Sequence, residues 1–190
     1  MTAAPTVMIP RLYEKYRKEV VPVLRKEFNY SNVMQIPRLE KVVVNIGAKE
    51  GQDDVKLLEQ LALELGQITG QKPSIRRAKK SIAGFKLRQN SPVGLKVTLR
   101  RQHMYEFLDR LFNVAMPRIR DFRGYNESSF DEHGNYNLGI QEQTIFPEVE
   151  FDKVKKIKGM NLTFVTSAKN AKEAKKLLEL LGLPFRKKNA

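Results

Sequence analysis

Ten lysines and arginines and not one carboxylate lie between Leu65 and Tyr105: Lys72, Arg76, Arg77, Lys79, Lys80, Lys86, Arg88, Lys96, Arg100 and Arg101. Uncompensated cations at that density suit one chemistry, many weak contacts to a polyanion that each release condensed counterions. The 190-residue chain has a formal net charge of +14 and a sequence pI near 10.0, so this window supplies most of the excess. A short basic run is ordinarily a solvated surface, whereas a tract this long without acid reads as a nucleic-acid-binding surface. Its sharpest part is Lys79-Lys80-Ser81-Ile82-Ala83-Gly84-Phe85-Lys86-Leu87-Arg88, where four bases surround an aromatic and a glycine. Such side chains grip phosphates while the ring stacks on a base. The functional reading is a mobile loop that orders on contact; the alternative is a charged turn with Ile82 and Phe85 tucked into the core.

Other chemistries find little support. His103 and His133 have no partner at metal-ligand spacing, and Asp131-Glu132-His133 are adjacent residues in a turn, which rarely converge on an ion. No phosphate-cradling glycine loop and no nucleophile elbow occurs. The absence of cysteine excludes disulfides and thiolate zinc sites. No apolar run approaches the ~18 residues that span a bilayer, and Met1–Pro10 lacks the pattern of a secretory signal. The expectation is a cytoplasmic, non-catalytic protein with no metal, no cofactor, no small-molecule substrate and no membrane partner.

Periodicity supplies the elements that must carry the basic tract. Leu12, Tyr16, Val20, Leu24 and Phe28 predict a helix over 11–28, bent or interrupted at Pro22. Leu39–Ile46 reads as a strand ended by Gly47. Asp53 or Asp54 caps a helix with an inward stripe of Val55, Leu58, Leu61, Ala62, Leu65 and Ile68, closed by Gly70. Ser74–Arg76 is a short strand, and Leu95, Val97 and Leu99 alternate with Lys96, Thr98 and Arg100 in a longer one. A helix from Gln102 turns Met104, Phe107, Leu108, Leu111, Phe112 and Ala115 inward and stops at Pro117. Residues 118–147 read as irregular, with a hairpin near His133-Gly134-Asn135. Within them 136–148 is either a protein-binding loop or a packed irregular core. Met160–Thr166 is a strand, and Asn170 opens a last helix with Ala171, Ala174, Leu177, Leu178 and Leu181 inward, stopped by Gly182 and Pro184.

These elements imply one α+β domain over 1–190, with an extension at 1–10 and a basic tail at 186–190. Its sheet is mainly antiparallel, with helices packed on one face and a polar, basic face left open. Along the strands, Lys41, Val43 and Asn45, then Lys96, Thr98 and Arg100, then Asn161, Thr163 and Val165 fall on that open side. It is either a solvated sheet face or a surface for a phosphate backbone and 2′-hydroxyls. The exposed aromatic pair of the commonest single-stranded-RNA sheet module is missing.

At Ile36–Gly47, Thr69–Pro73, Pro117–Gly124, Asn135–Gln143, Ile145–Glu148 and Gly159–Asn161 the chain resembles a known family, the bacterial 5S-rRNA-binding protein numbered five in the large ribosomal subunit. These segments follow in order over nearly the whole chain. One departure is Ala48-Lys49-Glu50-Gly51, where family members often have a Val-Gly-Glu turn. The resemblance implies a component of the central protuberance that docks 5S rRNA onto large-subunit rRNA. It implies 5S rRNA contacts from Asn45, Lys72, Ser74, Arg76, Arg77, Lys96, Thr98 and Arg100. It implies a P-site tRNA contact from the loop residues Lys79, Lys80, Ser81, Gly84, Phe85, Lys86 and Arg88. A bridge to a small-subunit head protein is assigned to Arg110, Asn113, Arg118, Glu142 and Gln143. The alternative is a general structured-RNA or DNA-binding protein outside the ribosome.

Overall fold

The computed structural model describes residues 9–49, 54–151 and 154–186. The Asp53 alternative for the cap, most of the 1–10 extension, the Glu50-Gly51 part of the turn and the tail beyond Arg186 lie outside the described residues.

Helix α1 (Arg11–Lys15) and helix α2 (Val21–Glu27) are one continuous rod joined by a wider π turn, Tyr16–Val20, in which the Val21 N–H reaches back to the Tyr16 carbonyl. The widening falls just before Pro22, which has no N–H to donate and whose ring crowds the carbonyl four residues earlier. The expected interruption is therefore absorbed without ending the helix. Leu12, Tyr16, Val20 and Leu24 stay buried along one stripe, and the Tyr16 hydroxyl donates to the Pro37 carbonyl at 3.0 Å.

Strand β1 (Leu39–Gly47) leads across to helix α3 (Val55–Thr69). Asp54 is the cap, its Oδ1 accepting the Leu57 N–H at 3.1 Å, and Gly70 ends the helix in the left-handed region at φ 67°. Strand β2 (Ser74–Arg77) and strand β3 (Pro92–Leu99) flank the basic loop. Helix α4 (Arg101–Arg110) runs on through a second π turn, Leu111–Ala115, ahead of Pro117, repeating the device seen at Pro22. Strand β4 (Tyr136–Ile140), strand β5 (Met160–Thr166) and helix α5 (Ala171–Leu181) complete the chain.

The strands form a five-stranded sheet in the order β2-β3-β1-β5-β4, and every neighbouring pair is antiparallel. Val42, Val44, Ile46, Leu95, Val97, Leu99, Leu162 and Phe164 all point to one side, where they are buried with Leu58, Leu61 and Leu65 of α3, Met104 and Phe107 of α4, and Leu177 and Leu178 of α5. The helices cover that face, and the other stays open, as the strand periods require.

Three expectations are corrected. The stretch 118–147 is not wholly irregular, because β4 lies within it. Val55 is 59% exposed, since the first helical residue overhangs the edge of the buried stripe. Ala62 and Ala171 are only half-buried.

Candidate nucleic-acid interface

Antiparallel register turns the open face into rows. Ser74, Lys96, Asn45, Asn161 and Gly139 are successive cross-strand partners from β2 to β4. The next row holds Thr98, Val43, Thr163 and Asn137. On the other flank Arg76, Gly94 and Gly47 stand opposite one another. Partners on one row share a face and sit roughly 5 Å apart. No position in these rows carries a carboxylate, so the face offers ammonium, guanidinium, amide and hydroxyl groups to whatever lies on it.

Gly94 is dictated by close approach: a Cβ there would stand 2.5 Å from the Ile46 carbonyl oxygen. The two strands can meet at that row only without a side chain, which leaves Arg76 standing beside bare backbone.

The remaining residues expected at 5S rRNA are dispersed. Lys72 is exposed in the turn between α3 and β2, and Arg100 is the exposed, extended residue that leads from β3 into α4. Arg77 is moved out of the rows by a register shift next to Arg76. Its guanidinium donates to the Asn90 carbonyl at 3.0 Å, closing the base of the basic loop.

That loop is a hydrogen-bonded hairpin rather than a slack connection. Ile82 and Leu87 exchange backbone hydrogen bonds at 2.9 and 3.1 Å, and Ala78 N–H donates to Ser91 at 2.9 Å. Lys86 and Asn90 take left-handed conformations, φ 51° and 67°, to turn the chain. The Ser81 hydroxyl accepts the Gln89 N–H at 2.9 Å, so it serves the loop itself. Ile82 and Phe85 are 45% and 65% exposed, which removes the alternative that they tuck into the core. Gly84 is exposed at the tip, and Lys79, Lys80, Lys86 and Arg88 are exposed around it. The loop thus displays an apolar tip ringed by cations.

Two residues expected on a bridging surface are elsewhere engaged. Gln143 is 1% exposed; its amide donates to the Lys156 carbonyl at 2.9 Å and to Glu64 at 3.3 Å while accepting the Lys158 N–H. Arg110 donates to the Ile68 carbonyl at 2.8 Å and pairs with Glu148. Both fasten the irregular segment to α3 and α4, which explains a polar side chain at a buried place. Asn113 is exposed but bonds back to Asp109 at 2.6 Å, and Arg118 and Glu142 are exposed.

Beside them opens a cleft of about 990 Å³, lined by Arg118, Arg120, Arg123, Phe122, Tyr125 and Phe151 among others. Its outer wall is held by backbone bonds from Tyr125 to Pro184 and from Arg186 to Tyr125, at 3.0 and 2.9 Å. Burial pushes the Tyr125 phenol up to about 12. Among the described residues no cluster of acids and histidines could hold a metal, and no helix is long and apolar enough to cross a membrane.

The fold and its open face define the class: a single-sheet α+β protein whose exposed side offers hydrogen bonds and positive charge to a polyanion. Residues 32–88 match the family model "Ribosomal protein L5", and residues 92–185 match "ribosomal L5P family C-terminus". β1 and β2 come from the first segment and β3, β4 and β5 from the second, yet all share one sheet. A protein of Geotalea daltonii called "Large ribosomal subunit protein uL5" is 60% identical over 176 residues, covering 93% of this chain and 98% of its own. Proteins of the same name from Caldanaerobacter subterraneus subsp. tengcongensis and Clostridium tetani are 59% and 55% identical, covering 93% and 94% of this chain and 99% of their own. The chain belongs to the ribosomal protein L5 family, whose members are structural rather than enzymatic.

Asn137, Asn161 and Thr163 complete the open face without having been named as site residues. For Asn137 the signal was present, since Tyr136, Leu138 and Ile140 alternate with Asn137 and Gly139.

Proposed function

We propose that this chain is a structural constituent of the large ribosomal subunit, in the bacterial cytoplasm, that holds 5S rRNA against its open sheet face and helps attach it to large-subunit rRNA. The observation that carries the reading is the acid-free row Ser74, Lys96, Asn45 and Asn161, with Thr98 and Arg76 on the adjoining rows. Lysine and arginine supply the charge that attracts phosphates, and the amides and hydroxyls fix register by hydrogen bonds. Arg77 and Ser81 brace the hairpin from within. Its tip, with Lys79, Lys80, Gly84, Phe85, Lys86 and Arg88, contacts P-site tRNA. The small-subunit head protein meets the exposed residues near the cleft, Asn113, Arg118 and Glu142, with Arg110 and Gln143 holding that surface in place.

The test is capture of RNA from a total bacterial rRNA preparation by the purified chain at moderate salt. Selective retention of 5S rRNA is expected. Equal retention of duplex DNA and unrelated structured RNA would overturn the reading in favour of a general nucleic-acid binder.

A further inference from the structure

The open face is electrically lopsided. Its cations stand on β2 and β3, as Arg76 and Lys96, and on β1 as Lys41, which has the exposed Glu40 beside it at the strand's bulge, whereas β5 and β4 present Asn161, Thr163, Val165, Asn137 and Gly139 without a charge. Only the first half can draw phosphates by charge.

The neutral half is nevertheless organised. Thr163 and Asn137 are direct cross-strand partners, and the Thr163 hydroxyl donates to Asn137 Oδ1 at 2.6 Å. That bond fixes the orientation of the exposed Asn137 amide and uses one of the two acceptor sites on its oxygen, leaving the other and the N–H donors for a partner. One row along, Asn161 faces Gly139, and a Cβ at 139 would stand 3.7 Å from Asn161 Oδ1. Glycine leaves that amide uncovered. An outward array of neutral amides adds little counterion-release energy, but it matches a group that both donates and accepts, the ribose 2′-hydroxyl.

We propose, resting on the reading of this face as the 5S rRNA site, that its β5–β4 half recognises ribose 2′-hydroxyls. Asn137 and Asn161 are the contacts, and Thr163 is the positioning residue for Asn137. The charged half grips the backbone, and the neutral half tells RNA from DNA.

The experiment uses the full chain and a pool of 5S rRNA transcripts carrying scattered 2′-deoxy substitutions. Bound molecules are separated, and the positions where loss of the hydroxyl excluded binding are mapped. With the unaltered protein a defined set of positions is expected. Thr163→Val, which keeps strand shape, and Asn137→Ala should each weaken binding about 3- to 10-fold, the range of one lost hydrogen bond. Both should erase the same subset of positions, and Lys96→Gln should leave that subset intact. Should either neutral variant keep the full set, or the two erase different subsets, the proposal is overturned. Should the unaltered protein fail to retain 5S rRNA at all, the reading of the face falls first, before any variant is compared. Unchanged thermal unfolding of Thr163→Val separates loss of recognition from loss of structure.

Discussion

Lys96 and Asn45 face each other across β3 and β1 on one row of the open face, so one RNA strand lying on that row meets both. One is a cation and the other a neutral amide, and this difference has a measurable signature. Lys96 has no carboxylate partner among the described residues, so Lys96→Gln removes one phosphate contact without exposing a buried acid. The slope of log K against log salt should fall by about 0.7 to 0.9. Between 50 and 200 mM salt, a fourfold change, that alters the affinity ratio by a factor of about 3. Asn45→Ala should weaken binding by about 1 kcal/mol, near fivefold, and leave the slope where it was. The assay is filter binding or fluorescence anisotropy with 5S rRNA across that salt range. A slope that moves as much for Asn45→Ala as for Lys96→Gln would refute the division of labour along the row. So would an unchanged slope for Lys96→Gln.

Other consequences concern the parts that support the face. Gln143→Ala removes the buried amide that bonds the Lys158 N–H and the Lys156 carbonyl, and should cost about 1–3 kcal/mol in chemical denaturation while leaving the 5S rRNA salt slope intact. Replacing Lys79 and Lys80 together by Ala should lower the salt slope for tRNA by about 2 if each holds a phosphate, with a smaller change for 5S rRNA; an unchanged tRNA slope would remove the tip from that role. Asp131 accepts both the His133 N–H and the Asn135 N–H and a side-chain bond from Asn135. Desolvation works to raise its pKa, but these bonds together hold it below the ordinary value of 3.8. Its contribution is therefore present above that value and lost as pH falls through the lower folded-state value. In Asp131→Ala, the acid limb of the stability profile should flatten in thermal unfolding measured from pH 5 to 2.

The sequence carries the sheet's two faces plainly wherever a strand alternates strongly, as in Leu95–Leu99, because the period of two follows from the pleat alone. The same holds for the cap at Asp54 and the stop at Gly70, which are local hydrogen-bonding and backbone events. β4 was harder to see. It is a five-residue edge strand whose outward positions are Asn137 and Gly139, residues that weaken strand propensity, and its place comes from pairing with β5. Gln143 looked like a surface group and Arg110 like an unengaged one because polarity is local information. Their partners lie 79 residues away at Glu64 and 42 away at Ile68, and no local pattern carries such a distance. Of the proposed interface, the cations and Asn45 were legible as charge and periodicity. The inward duties of Arg77 and Ser81 were not, because they depend on how the hairpin closes on itself.

Retention of 5S rRNA by the open face of the sheet is distinct from attraction by the positive charge of the chain as a whole. It is tested most directly by placing a photoreactive phenylalanine analogue at Lys96 in one variant and at Phe85 in another, then irradiating each on assembled large subunits. The position on the sheet is expected to cross-link to 5S rRNA, and the hairpin tip to yield tRNA when the P site is filled. Absence of 5S rRNA from the Lys96 cross-links, with the protein incorporated normally, would contradict it.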